Sequence, residues 1–211
     1  IDYPTARITR HDSCCGYSHS PNTGGVFQDE GNQYIQINAH GLRDIEHEYN
    51  KPDNTIRIAV LGDSFAEARQ VSIDEAFWSI LKNTLSECKK FKGNEIEVIN
   101  FGVAGYGTAQ EYEALRYKVW RYKPDIVLLA FLSGNDIRNN SIELENNPTI
   151  PYYYIKDGNL ELDDSFKDRT VFKVMTSPIG KVISWMLEKS NFIRLMKMSI
   201  NMKMSIIDES S

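Results

Sequence analysis

The chain has 211 residues, of which 41% are hydrophobic and 25% charged, and its formal net charge is −5. This length and composition predict one globular domain with a hydrophobic core. The negative charge argues against a nucleic-acid partner, and the longest apolar run, residues 126–132, is too short to span a bilayer.

Residues 1–34, at the start of the chain, contain two prolines, four glycines and two asparagines. Such turn-forming residues predict an irregular N-terminal arm, which we extend over residues 1–50. Within it, residues 34–38 alternate between polar and apolar side chains, which indicates a short edge strand.

The arm also contains two adjacent cysteines, Cys14 and Cys15, between His11 and His19. Zinc sites usually separate paired cysteines by two to four residues, and a disulfide between neighbours requires strained geometry. We therefore predict a surface loop without a metal ion. The third cysteine, Cys88, has helical spacing from preceding leucines, which predicts a half-buried helix position.

Residues 51–147 form the predicted α/β core. Apolar runs indicate buried parallel strands at residues 56–61, 95–101 and 125–132. Helical spacing of apolar residues predicts helices at residues 74–91 and 108–122. In the second helix, Thr108 is the expected N-cap, with Glu111 completing a capping box.

The pattern of alternating strands and helices stops after the third strand. Residues 152–162 are typical of a hairpin around Asp157 and Gly158. Residues 178–204 predict one or two amphipathic, methionine-rich helices. We interpret residues 148–211 as an insertion or lid-like region, and packing of these helices on the core is the simpler alternative.

Each predicted strand is followed by a polar turn, and right-handed crossovers bring the ends of parallel strands to one edge. Ser64 is the candidate nucleophile, while the Gly105 N–H and the Asn135 amide are candidate donors to an oxyanion. Taken singly, the three could merely cap a helix, form a tight turn and brace a loop. We expect Asp63 and Asp136 to brace these turns through hydrogen bonds.

Taken together and in this order, the turns resemble the sequence blocks of the SGNH (GDSL-type) hydrolase family. Residues 62–65 (Gly-Asp-Ser-Phe) resemble its first block, residues 100–108 its second and residues 134–136 (Gly-Asn-Asp) its third. Residues 37–44 are similar to a lead-in found in a bacterial extracytoplasmic subgroup. The resemblance covers roughly residues 35–145.

This resemblance implies a three-layer flavodoxin-like sandwich with a parallel sheet, which we expect to be incomplete towards the C-terminus. It implies a serine esterase that cleaves O-acyl esters of glycans or lipids through an acyl-enzyme, without a metal or cofactor. O-acyl transfer to a polysaccharide and a non-catalytic binding module are the alternatives. A periplasmic or other extracytoplasmic location is implied, with a membrane anchor upstream of Ile1 in the parent protein.

The family's fourth block, Asp-x-x-His, has no counterpart in this sequence. All four histidines precede Ser64 in the chain: His11, His19, His40 and His47. Either the chain is a fragment of a longer hydrolase, or a histidine of the arm, His40 or His47, serves as the base. We favour the fragment, which by itself would be weakly active or inactive.

Overall fold

A computed structural model describes residues 8–27 and 32–182. The chain divides into two compact units, Ile1–Lys167 and Asp168–Ser211. Most of the methionine-rich region predicted at residues 178–204 lies outside the described residues. None of the described helices is long and apolar enough to cross a membrane.

The N-terminal arm is built from two antiparallel hairpins. Strand β1 (Thr9–Asp12) pairs with β2 (Gly16–His19), and β3 (Gly24–Phe27) pairs with β4 (Gln33–Gln36). The arm is thus more regular than its composition predicts, because its turn residues connect strands that pair with one another. The predicted edge strand at residues 34–38 corresponds to β4.

The central sheet has three parallel strands in the order β6-β5-β7. They are β5 (Thr55–Gly62), β6 (Glu95–Asn100) and β7 (Ile126–Ala130). The mixed α/β class and the parallel sheet predicted from the apolar runs are therefore confirmed. Strand β5 is central and almost entirely buried.

The sheet has a hydrophobic core on each face, because successive side chains of a strand point to opposite sides. Ala59 and Leu61 belong to one core together with Ala114 of helix α3 (Thr108–Tyr117). Ile58 and Val60 belong to the other, together with Trp78 of helix α2 (Phe77–Ser86). Helices thus pack on both faces of the sheet.

Both long helices are shorter than their apolar spacing predicts. Residues before α2 form a separate turn, in which the Glu75 N–H donates to the Ser72 carbonyl at 3.2 Å. Cys88 lies beyond the end of α2 and is exposed, so the half-buried position predicted for it is wrong. Helix α3 gives way after Tyr117 to a 3₁₀ turn at Val119–Tyr122.

The predicted cap of α3 is also wrong. Gly107 is the N-cap, and its N–H donates to the side-chain oxygen of Gln110 at 3.3 Å. Thr108 is the first helical residue. Glu111 does not take part in the capping interaction, and its side chain is buried in the protein interior.

The remaining described elements are short. They are helices α1 (Ser64–Glu67), α4 (Asp136–Asn139), α5 (Ile142–Glu145) and α6 (Thr170–Thr176), 3₁₀ turns Lys89–Phe91 and Ser165–Asp168, and strands β8 (Tyr152–Lys156) and β9 (Asn159–Asp163). Strands β8 and β9 form the predicted hairpin. Asp157 and Gly158 both have positive φ angles, 51° and 78°, as a two-residue type I′ turn requires.

Strand β7 leaves apolar side chains open to solvent. Ile126 is 47% exposed and Leu129 43% exposed, and Phe131, just beyond the strand, is 50% exposed. Strands of parallel sheets are normally covered on both faces. The free edge of the described sheet therefore carries apolar surface that its own neighbours do not bury.

Candidate functional site

The first polar turn connects β5 to α1. Asp63 is the buried N-cap of α1, and its Oδ1 accepts the Phe65 N–H at 2.9 Å. Ser64 is half-buried, whereas the ring of Phe65 is 67% exposed beside it. Any larger residue at position 62 would displace its neighbours, since a Cβ there would lie 2.7 Å from the Cβ of Ala66.

The second turn follows β6 and is fastened to the first. The Val103 N–H donates to the Gly62 carbonyl at 3.1 Å, and the Ala104 N–H donates to Oε2 of Glu67 at 2.6 Å. Gly105 adopts a left-handed φ of 79°. A Cβ at this position would lie 2.8 Å from the hydroxyl of Tyr17, so the turn needs glycine on two counts.

The third turn follows β7 and contacts both of the others. The Asn135 side-chain amide donates to Oδ2 of Asp63 at 2.5 Å, and Asn139 donates to the Gly105 carbonyl at 3.3 Å. Asp136 accepts the Leu132 N–H at 2.6 Å. Asp63 and Asp136 thus brace their turns as expected, and the turns of Ser64, Gly105 and Asn135 meet at one edge of the sheet.

This edge presents unused hydrogen-bond donors. Within residues 8–27 and 32–182, the backbone N–H groups of Ser64 and Gly105 donate to no protein acceptor. Asn135 commits one of its two amide hydrogens to Asp63. Donors of this kind can stabilise negative charge on a bound oxygen, although the catalytic roles assigned from the sequence remain predictions.

A third carboxylate lies among the acidic side chains behind the turns. Glu111 of α3 is 1% exposed, and among the described residues neither of its carboxylate oxygens has a hydrogen-bond partner. Burial, with the charges of Asp136 and Asp63, raises the pKa of Glu111 to about 8. Burial also raises the pKa of Asp136. The protonated form of Glu111 is therefore favoured. Its spacing in the sequence did not indicate this, because that spacing places Glu111 in a capping box.

Glu67 connects the arm to the site. Its Oε1 lies 2.8 Å from Nε2 of His19 and 2.5 Å from Nε of Arg69, while its Oε2 accepts the Ala104 N–H. Burial opposes ionisation of Glu67, but His19 and Arg69 outweigh it and lower the pKa to about 2. In the sequence, the only indication that Glu67 contacts the site is that it lies three residues after Ser64, about one helical turn away.

The other histidines near the core are engaged elsewhere. His40 Nδ1 lies 2.5 Å from the Tyr122 hydroxyl, and its ring stacks on Tyr49. His47 Nε2 lies 3.2 Å from Oδ2 of Asp44. In the part of the chain that the structure describes, no side chain forms a hydrogen bond with the Ser64 hydroxyl. These contacts give no support to His40 or His47 as its base.

The cysteine pair belongs to the arm and lies beside Tyr106 of the second turn. Asp12, Cys14 and Cys15 place possible metal ligands within 4.8 Å of one another. His19 is instead paired with Glu67. Cys15 is completely buried in the core rather than in the surface loop predicted, because its side chain packs inward beside Tyr106.

No family model and no curated protein matches this chain. A solved structure of TesA is similar at 20% identity, with a TM-score of 0.34. The match covers 44% of this chain and 51% of the TesA chain, so it spans about half the length of TesA. The class of the protein follows from its own fold, a mixed α/β structure with a three-stranded parallel sheet.

Proposed function

We propose that this chain carries part of the active site of an SGNH-type serine esterase with a flavodoxin-like three-layer fold. Its substrates would be O-acyl esters, including O-acetyl esters, of glycans or lipids. The observation that carries the proposal is the hydrogen bond between Asn135 and Asp63. It joins the candidate donor residue to the residue before the candidate nucleophile. The extracytoplasmic location implied by the sequence resemblance belongs to the same proposal.

In the proposed reaction, the Ser64 hydroxyl attacks the ester carbonyl carbon and gives its proton to a base. The carbonyl oxygen becomes an anion that accepts hydrogen bonds from the Ser64 N–H, the Gly105 N–H and the Asn135 amide. Each such donor is typically worth ~10²–10³ in turnover. The alcohol then leaves with a proton, and water releases the acid from the acyl-enzyme.

The base is the component that these contacts do not supply. We propose that it comes from an Asp-x-x-His segment outside the 211 residues. Strand β7 supports this arrangement, because Ile126 and Leu129 are exposed at a free edge where a further strand of a parallel sheet could pack. A strand added there would end at the same edge as the three polar turns.

The test compares this chain with the parent protein extended through a downstream Asp-x-x-His. The extended protein should give a burst of p-nitrophenol from p-nitrophenyl acetate and react with a fluorophosphonate at Ser64. Ser64→Ala should abolish both, whereas Ser79→Ala, at a half-buried serine of α2, should not. The short chain should react ~10²–10⁴-fold more slowly, as expected without a general base.

Full burst activity in the Ser64→Ala variant would overturn the assignment of the nucleophile. Efficient labelling of the short chain, lost on substitution of His40 or His47, would overturn the proposed source of the base. Faster turnover with a polysaccharide acceptor, yielding acylated polysaccharide, would identify the transferase alternative. If the extended protein folds and binds glycan esters but is never labelled by the fluorophosphonate, the chain is a binding module.

A further inference from the structure

The two adjacent cysteines of the arm bring their sulfur atoms into direct contact. Both are free thiols, and the Sγ atoms of Cys14 and Cys15 lie 2.7 Å apart. Cys15 is completely buried, whereas Cys14 is partly exposed and lines a cavity of about 290 Å³. Of the two thiols, Cys14 is therefore the one that a small molecule entering this cavity can reach.

The turn that carries the pair is held by Asp12. Its Oδ1 accepts the N–H groups of Cys14 and Cys15 at 3.0 and 3.1 Å, and the Cys14 thiol at 2.9 Å. Its Oδ2 lies 3.1 Å from Nζ of Lys118. Burial opposes ionisation of Asp12, but Lys118 and the donors of Cys14 outweigh it and lower the pKa to about 2. A charged Asp12 thus fixes the turn that aligns the two sulfurs.

We propose that Cys14 and Cys15 form a redox modification site, which low-molecular-weight disulfides convert to a disulfide between the two neighbouring residues. The site lies outside the set of turns that contains Ser64, and the proposal does not depend on esterase activity. The reactants are two protein thiols and one small disulfide, and the products are one protein disulfide and two small thiols.

The chemistry proceeds in two exchanges. The hydrogen bond to Cys15 and burial raise the pKa of Cys14, so its thiol must give up its proton before the first exchange. The Cys14 thiolate then attacks one sulfur of the small disulfide, whose S–S bond breaks, and the departing thiolate takes up a proton. The Cys15 thiolate then attacks Sγ of Cys14 and expels the second small thiol. The protein loses two electrons and two protons, and the small disulfide gains them.

The bond formed in this way should be easy to reduce. The Cα atoms of neighbouring residues are about 3.8 Å apart, whereas disulfides usually join Cα atoms separated by about 4.4–6.8 Å. Strained disulfides are more readily reduced and belong to the labile class rather than the structural one. The pair therefore fits a reversible modification better than a permanent cross-link.

A metal site is less consistent with the same contacts. Both oxygens of Asp12 already interact with Lys118 or with donors of its own turn. Zinc sites also usually separate paired cysteines by two to four residues. Binding an ion would require Asp12 to give up the contacts that shape the turn.

The experiment exposes the reduced 211-residue chain to oxidised glutathione, quenches with acid and maps the products by mass spectrometry. We expect the peptide containing Cys14 and Cys15 to lose two hydrogen atoms and to regain them with dithiothreitol. Cys88→Ser, which removes the exposed third thiol, should behave identically at this peptide. Cys15→Ser, and likewise Cys15→Ala, should stop at a stable glutathione adduct on Cys14.

Several results would overturn the proposal. They are a stable glutathione adduct on Cys14 in the wild-type chain, a bond between Cys14 and Cys88, a disulfide between two copies, and no reaction. Stoichiometric binding of zinc that protects both thiols from oxidation, and that Cys15→Ser abolishes, would identify a metal site instead. Because the wild-type chain alone gives a decisive product, the proposal does not depend on how well the variants fold.

Discussion

The side-chain amide of Asn135 donates a 2.5 Å hydrogen bond to Oδ2 of Asp63, across the ends of two adjacent parallel strands. The other oxygen of Asp63 accepts the Phe65 N–H at the start of α1. One buried carboxylate therefore fixes the turn that presents Ser64 and the orientation of the Asn135 amide.

Replacement of this carboxylate should destabilise the protein. Asp63→Ala removes the helix N-cap and leaves two donors without their acceptor, so we expect the free energy of unfolding to fall by about 2–4 kcal/mol. Urea denaturation followed by circular dichroism measures the change. The exposed control Asp53→Ala should stay within about 0.5 kcal/mol of the wild type, and equal effects of the two variants would contradict the bracing role of Asp63.

The buried proton on Glu111 should make stability depend on pH. The pKa is raised from 4.5 to about 8 on folding, so the folded state holds a proton that the unfolded state releases. The contribution is complete below pH 4.5 and is lost as the pH rises towards about 8. Glu111→Gln mimics the protonated acid, and its stability should fall less steeply than that of the wild type over this range.

Unfolding free energies measured from pH 5 to 9, at about one-unit intervals, test this expectation. The exposed residue Glu48 supplies the matched control, since Glu48→Gln removes one carboxylate at the surface and should leave the wild-type slope unchanged. A Glu111→Gln profile parallel to that of the wild type would show that Glu111 does not hold the proton.

Gly105 and Gly158 form a natural pair for measuring how tightly the second turn is packed. Their φ angles are 79° and 78°, so alanine imposes about the same left-handed strain, ~1–2 kcal/mol, at both sites. Only at Gly105 does the new Cβ meet the Tyr17 hydroxyl, which donates to the Ala104 carbonyl at 2.9 Å. We expect Gly105→Ala to cost about 1 kcal/mol more than Gly158→Ala.

Thermal and urea unfolding of both alanine variants give this difference. In a Tyr17→Phe background the obstructing hydroxyl is absent, so the excess cost of Gly105→Ala should shrink. An excess that persists unchanged would place the conflict somewhere other than the Tyr17 hydroxyl.

Glu67 should contribute stability that acid removes. Its pKa is lowered from 4.5 to about 2 on folding, so the contribution is present above pH 4.5 and is lost as the pH falls towards about 2. Glu67→Gln removes the buried carboxylate that pairs with Arg69 and contacts His19, and should reduce the unfolding free energy at pH 7 by about 3 kcal/mol.

Unfolding free energies measured at acid pH test Glu67, whose pKa shift on folding has the opposite sign to that of Glu111. The Glu67→Gln variant should lose less of its remaining stability between pH 4.5 and about 2 than the wild type does. An acid profile identical to that of Glu48→Gln would contradict a charged Glu67 in the folded state.

The parallel strands and the polar turns that follow them could be predicted from the amino-acid pattern. A buried parallel strand appears in a sequence as a short apolar run, and a tight turn is marked by its own residues. Because these patterns are local, β5, β6, β7 and the turn at Asp157 and Gly158 could be predicted. Right-handed crossovers place the ends of parallel strands at one edge of the sheet, and this brings Ser64 and Asn135 to the same side.

Which polar residues meet in the interior depends on long-range packing that no local pattern contains. His19 and Glu67 are 48 residues apart, and nothing local indicates that a hairpin of the arm packs against α1. Glu111 has the spacing of a capping residue, but Gln110 takes that role and Glu111 is buried beside Asp136. Burial and long-range contact set the charge of these groups, and a pattern along the chain contains neither quantity.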